Sequence, residues 1–271
     1  MSIEFFCPRW GSEQLNWDLF GQKVSNAGYN GFEVGIASTA TEAELHEVWN
    51  VAEKYKLKII VQHYDTYEAE FSKHYDLYVA WLNKAKHLPC VKINSQTGKD
   101  FFTLEQNRAL IEAAMDISKQ TGIQIVHETH RNKFSFAAHI TKQYLEKIPA
   151  LKITLDASHW VCVAESFLED QQEAMQLAVD RTEHLHARVG YPCGPQIPDP
   201  RVPEWQHALN MHLNWWDKVA ARKKNEQSLL TITPEFGPYP YMVHIPGNTQ
   251  PICDQWDVNV YMMELLRKRY Y

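Results

Sequence analysis

The chain has 271 residues, 45% of them hydrophobic and 22% charged, with a formal net charge of −6. That is the composition of a folded chain with a sizeable core rather than a disordered or fibrous one, and its acidic balance argues against a nucleic-acid partner, which normally needs a basic face. No run approaches the roughly 20 apolar residues of a membrane span, and the start, MSIEFFCPRWG, lacks the basic and long apolar stretches of a signal peptide.

Strand-like runs occur at 3–7 (IEFFC), 32–35 (FEVG), 57–63 (LKIIVQH), 90–95 (CVKINS), 123–128 (IQIVHE), 151–156 (LKITLD), 183–189 (EHLHARV) and 229–235 (LLTITPE). Helical patterns fall between them, at 12–27, 41–55, 71–87, 103–120, 136–147, 169–181, 204–224 and 254–268. Thr41-Glu-Ala-Glu44 reads as a capping box. Thr103 opens the fourth helical pattern and Gly122 stops it. Pro203 sits where a first-turn proline belongs. Eight strand–helix units without linker or repeat predict a single (β/α)8 TIM barrel domain over residues 1–271. A doubly wound open sheet is the alternative. No GxGxxG or GxxxxGK[ST] loop follows the first strand, which disfavours dinucleotide and P-loop chemistry.

Five scattered cysteines (Cys7, Cys90, Cys162, Cys193, Cys253) show no CxxC spacing, so reduced thiols and a cytoplasmic location are expected. Nine Trp and thirteen Tyr lie mostly in or beside helical patterns, where core packing or a subunit interface is their ordinary use. The long loops GYPCGPQIPDPRV and FGPYPYMVHIPGNTQPI follow the last two strands and suit a lid or a subunit contact. A homodimer is compatible with both features.

The chemistry concentrates at strand ends. Glu128, Asp156, His186 and Glu235 close four successive strand-like runs. One glutamate at a strand end is ordinarily solvated or ion-paired. Four acidic or imidazole groups on consecutive parallel strands meet on one rim, as an oxygen-rich divalent metal site. Side chains two apart on a strand share a face, so Arg188 lines up with His186, and His184 lies deeper in the same row. Glu33, His63 and Asn94 also sit near strand ends and are candidates to bind sugar hydroxyls; His63 serves equally well as a satisfied rim histidine. Arg131 is a candidate for an anion at the pocket mouth or for a surface salt bridge, and Asp199 and Arg201 for reaching back over the site.

The motifs HETHR, LDASHW, HLHARVG and PEFGP resemble the xylose isomerase-like barrel superfamily, in its sugar isomerase and epimerase branch. The resemblance implies that Glu128, Asp156, His186 and Glu235 hold one divalent ion: manganese, magnesium, cobalt or zinc. It implies that His159 contacts substrate or assists catalysis, and that Arg188 grips substrate oxygens. Glu128 and Glu235 would face each other across a small sugar or keto-polyol and exchange the proton α to its carbonyl. Epimerisation and aldose–ketose isomerisation are both open to this set, and no phosphate cup is evident, which favours free sugars. An inosose-type dehydratase of the same barrel is the alternative. An apurinic-site endonuclease fits less well, because Asn94 and Arg201 stand where its additional histidine ligands would be. A non-catalytic sugar-binding barrel is disfavoured by the intact ligand set.

Overall fold

Strands rich in Ile, Val, Leu and Phe bury both faces and therefore pair in parallel. The computed structural model describes residues 2–271. Its strands are Ser2–Pro8 (β1), Gly31–Gly35 (β2), Lys58–His63 (β3), Lys92–Ser95 (β4), Gln124–Glu128 (β5), Ile153–Leu155 (β6), Thr182–His186 (β7) and Leu229–Thr233 (β8). They pair in chain order and close when β1 meets β8, all in parallel. The open doubly wound sheet is thereby ruled out, and the architecture is a (β/α)8 barrel.

The helices form the outer ring: Trp17–Asn26 (α1), Glu42–Tyr55 (α2), Phe71–Ala85 (α3), Leu104–Thr121 (α4), Ala138–Lys147 (α5), Ala157–Ala164 (α6), Gln172–Arg181 (α7), Gln206–Asn225 (α8) and Gln255–Tyr270 (α9). Capping boxes form at Thr41/Glu44 and Thr103/Gln106, and Gly122 ends α4 at φ 75°. Pro203 opens a short 3-10 turn before α8. Phe20, Phe32, Leu82, Leu110, Trp160 and Trp216 are fully buried in the apolar core between strands and helices.

One element lies outside the sequence expectation. The helix α6, ASHWVCVA, follows β6 at once, where only a later helix at 169–181 is signalled. Its residues 157–161 are all buried, so it has no polar face to produce a periodic pattern. Asp156 caps it, accepting from the Ser158 N–H at 3.0 Å. The strands also stop short of the expected ends: Pro234, with no N–H to donate, follows the last residue of β8. Asp156, Arg188 and Glu235 consequently stand on the first loop residues above the barrel. Among the described residues no helix is long and apolar enough to cross a membrane, and the five cysteines are free.

The loop after β7 packs on the first turn of α6 at Gly190. A Cβ there would lie 2.8 Å from the Cα and carbonyl oxygen of Ser158. Gly190→Ala is expected to cost about 1–3 kcal/mol through this overpacking, measured as a lowered urea midpoint with unchanged slope.

Candidate metal and substrate site

The barrel interior is polar near its top. Glu33 (β2), Asn94 (β4), Thr154 (β6) and Thr233 (β8) come from alternate strands, the usual way a barrel fills one interior layer. Asn94 Nδ2 donates to Glu33 Oε1 at 2.9 Å, Thr154 Oγ1 to Asn94 Oδ1 at 2.7 Å, and Thr233 Oγ1 to Glu33 Oε2 at 2.6 Å. Both histidines of β7 meet this layer. His184 Nε2 lies 3.0 Å from Glu33 Oε2, and His186 Nε2 lies 3.1 Å from each Glu33 oxygen. Burial alone would raise the Glu33 pKa, but His186 and His184 outweigh it and hold it well below the carboxylate range.

With Nε2 turned to Glu33, His186 presents Nδ1 to the rim. Nδ1 lies 2.9 Å from Glu235 Oε2 and 3.6 Å from Glu128 Oε1. Neither His186 Nδ1 nor Glu128 Oε1 has a hydrogen-bond partner, although both are buried. Asp156 completes the group: one donor atom from each of Glu128, Asp156, His186 and Glu235 lies within 4.8 Å of every other. Two glutamates, an aspartate and an imidazole, with two unpartnered buried atoms 3.6 Å apart, fit a divalent ion.

Without an ion the electrostatics are lopsided. Burial opposes the His186 charge, but Glu235, Glu33 and Glu128 hold its pKa well above the usual value. Burial raises Glu235 to about 6, while Glu128 drops to about 2 because His186 overrides its burial. Asp156 is ion-paired with Arg188, which is itself buried and also lies 3.8 Å from Glu235. Ser158 donates to the other Asp156 oxygen. Each carboxylate oxygen has a second lone pair, so these contacts leave room for coordination.

Above this floor opens a pocket of about 520 Å³. Glu128, Glu235, Arg188 and His130 line its base. Its walls are Arg9, Trp10, Trp17, Tyr64, Gln96 and Tyr241, with Gln62 and Tyr67 beside them. Trp10 packs edge-on against Tyr241, closing one side with aromatic rings.

Several expected contacts lie elsewhere. His63 faces away from the pocket: its Nε2 bonds Thr66 Oγ1 at 2.8 Å and its ring packs on Tyr78 and Trp81. Gln62, its neighbour on the opposite strand face, points inward and donates to Glu128 Oε2 at 3.3 Å. Glu33 and Asn94 are inside the barrel but beneath the ligand set, where they bond His186 and Glu128 rather than line the pocket. His159 is fully buried behind Arg188, 2.7 Å from its Nη2 and 3.1 Å from Arg131 Nε. Burial and these cations keep it neutral, with a pKa well below the usual value. A direct substrate contact is therefore replaced by support of the arginine. Among the described residues Arg131 makes no surface salt bridge; it also reaches Tyr241 Oη at 3.2 Å. Asp199 and Arg201 pair with each other at 2.7 Å, and Arg201 packs over Tyr261 of α9, outside the pocket lining. The aromatic wall after β1 and β3 carries no strand-end charge pattern, so the sequence offered only strand parity, which would have favoured Gln62 over His63.

No family model matches the chain, and no curated protein matches it in sequence. Solved structures match its fold along nearly the whole length. D-allulose 3-epimerase from Methylomonas sp., in complex with D-allulose, is 14% identical with a TM-score of 0.61, over 99% of this chain and 97% of that one. A xylose isomerase-like TIM barrel protein from Mycobacterium smegmatis, in complex with magnesium, is 9% identical with a TM-score of 0.62, over 99% and 98%. The probable 3-DHS dehydratase of petrobactin synthesis from Bacillus anthracis is 17% identical with a TM-score of 0.59, over 99% and 100%. At these identities the likeness is one of fold.

Arg188→Met would leave the Asp156 carboxylate buried without its cation. The metal-free protein is expected to lose about 3–5 kcal/mol of stability, the usual consequence of breaking a buried pair from one side. Manganese should restore part of it. Urea unfolding with chelator and with excess metal measures both.

Proposed function

We propose that this xylose isomerase-like barrel is a metal-dependent isomerase or epimerase of a small sugar or keto-polyol. The observation that carries the reading is the convergence of Glu128, Asp156, His186 and Glu235 beneath a pocket that both glutamates line, with Glu128 Oε1 and His186 Nδ1 unpartnered. A divalent ion held by these four would polarise the substrate carbonyl and stabilise the negative charge left when the α-proton departs.

The remaining steps belong to the chain. Glu128 and Glu235 come from β5 and from the loop after β8, and both reach the substrate space. One takes the proton from the carbon next to the carbonyl and the other returns it on the opposite face, which inverts that carbon. If a single carboxylate carries the proton between adjacent carbons, the product is the aldose–ketose isomer. Arg188, fixed by Asp156 and His159, offers N–H groups to a substrate oxygen. Trp10, Tyr64 and Tyr241 screen the pocket from water and provide flat surfaces for a sugar ring.

A lyase reading shares the first step. It would add the loss of a β-hydroxyl to that proton abstraction. Product mass separates the two, because dehydration loses water and epimerisation does not.

With a panel of ketoses in deuterium oxide, the manganese-loaded protein is expected to exchange the α-hydrogen of at least one. Glu128→Gln and Glu235→Gln should each slow that exchange by roughly 10²–10⁴-fold, the usual contribution of a positioned acid or base. Full exchange in both variants would remove the role assigned to these carboxylates. Chelation should abolish turnover and added manganese should restore it; turnover indifferent to both treatments contradicts the metal.

A further inference from the structure

Three consecutive rim loops, after β3, β4 and β5, enclose charges that the proposed reaction does not use. Lys99 lies on the loop after β4 and Lys133 on the loop after β5. They are 5% and 3% exposed. Their backbones are firmly held. Asn107 Nδ2 donates to the Lys99 carbonyl at 2.9 Å, the Lys133 N–H donates to the His130 carbonyl at 3.2 Å, and the Phe134 N–H joins the two loops at the Thr97 carbonyl. The Lys133 ammonium is not so provided for. Lys133 Nζ is buried and has no partner. Both ammoniums approach the ring of Tyr67, at 5.9 Å for Lys133 and 5.7 Å for Lys99, near the outer limit of a cation–π contact.

Tyr67 belongs to the substrate pocket wall, as does Gln96 at the start of the Lys99 loop. The Tyr67 side chain is 63% exposed, so little packing holds it over the lysines. His74 adds a second unpartnered nitrogen, Nε2, in the same neighbourhood, and burial, with the lysine charges adding to it, lowers its pKa. Burial and the adjacent Lys99 push Lys133 down to about 8. Asp65 and Glu68, on the Tyr67 loop, each leave one buried carboxylate oxygen unpartnered, and neither accepts a hydrogen bond from Lys133. A buried ammonium without a partner is strongly unfavourable, and it persists where something outside the chain supplies the counter-charge.

We propose that Lys99 and Lys133 form an anion subsite at the pocket edge, which binds a phosphate or carboxylate at the end of the substrate remote from the reacting carbons. The substrate is then an acidic sugar or sugar phosphate rather than a neutral one. Placement of the charge also serves orientation. Neither lysine lines the pocket itself; both lie against Tyr67, which does. An anionic end is repelled by Glu128 and Glu235 on the pocket floor and attracted to the two lysines beside Tyr67, so the carbonyl end is left to face the carboxylates. This assignment rests on the enediol-type reaction proposed above, and it deepens that reading by naming the substrate class.

The test compares three substrate classes on the manganese-loaded protein: neutral ketoses, the same ketoses phosphorylated at the terminal carbon, and the corresponding keto-acids. Either anionic class should be favoured over its neutral parent by at least roughly tenfold in kcat/KM, the scale of one charge-assisted hydrogen bond. The class favoured tells phosphate from carboxylate. Lys133→Met and Lys99→Met should erase the preference mainly through KM and leave any turnover of neutral ketoses within about twofold. A neutral ketose turned over as well as its anionic derivatives would overturn the subsite, as would a preference that survives both substitutions. Thermal melting guards against a purely structural role. Replacing an unpaired ammonium by an isosteric apolar chain should leave the Tm unchanged or raise it. A clear fall would mean that Lys133 is the partner of Asp65 or Glu68, and would overturn the proposal.

Calorimetric titration with inorganic phosphate separates this inference from the reaction it rests on. Lysine-dependent phosphate binding, with no exchange of any ketose, would keep the subsite and bring down the reaction. Exchange of neutral ketoses alone would do the reverse.

Discussion

The contact between Glu33 and His186 sets the direction of everything above it. An imidazole has two nitrogens, and the one that is hydrogen-bonded decides what the other can do. Glu33 lies beneath His186 and engages Nε2 with both of its oxygens. Nδ1 is thereby turned toward Glu128 and Glu235 without a hydrogen-bond partner. A carboxylate within a barrel would be costly alone. Here it accepts from Asn94 and Thr233 and sits against two histidines, so its charge is both compensated and hydrogen-bonded.

A similar economy governs the other half of the site. Arg188 is among the largest fully buried side chains, and it is held by Asp156, Ser158 and His159. Ser158 and His159 belong to α6, which Asp156 itself caps. One aspartate therefore ends a strand, starts a helix, anchors an arginine and joins the ligand set. Gly190 lets the loop after β7 lie directly on that helix turn. Substitutions around α6 should consequently be felt at the pocket even where they do not touch it.

The fold was legible because its signals are local and repeated. Eight apolar runs alternate with helical patterns, and capping residues such as Thr41 and Thr103 mark their helices. The convergence of Glu128, Asp156, His186 and Glu235 was legible for the same reason, since parallel strands in order place equivalent ends on one rim. The helix α6 left no such trace, because its first five residues are buried and its exposed position is a valine, so no polar face marks an amphipathic period. Glu33 and Asn94 sit near strand ends as pocket residues do, but strand ends do not reveal depth: stagger between neighbouring strands sets them below His186. His63 illustrates parity. It is the last residue of β3, yet its side chain points to α3 while Gln62 points inward.

From the sequence alone, the order of elements, the barrel and the donor types at four successive strand ends follow, because each depends on local periodicity and on residue chemistry. Which of those groups touch one another is a property of barrel closure and strand stagger. Only in three dimensions does His159 lie behind Arg188, or the aromatic wall from Trp10 to Tyr241 close over the floor. Lys99 and Lys133 are 34 residues apart and belong to different loops; no sequence pattern links them. They become neighbours of Tyr67 because three adjacent strands bring their loops to one edge of the rim.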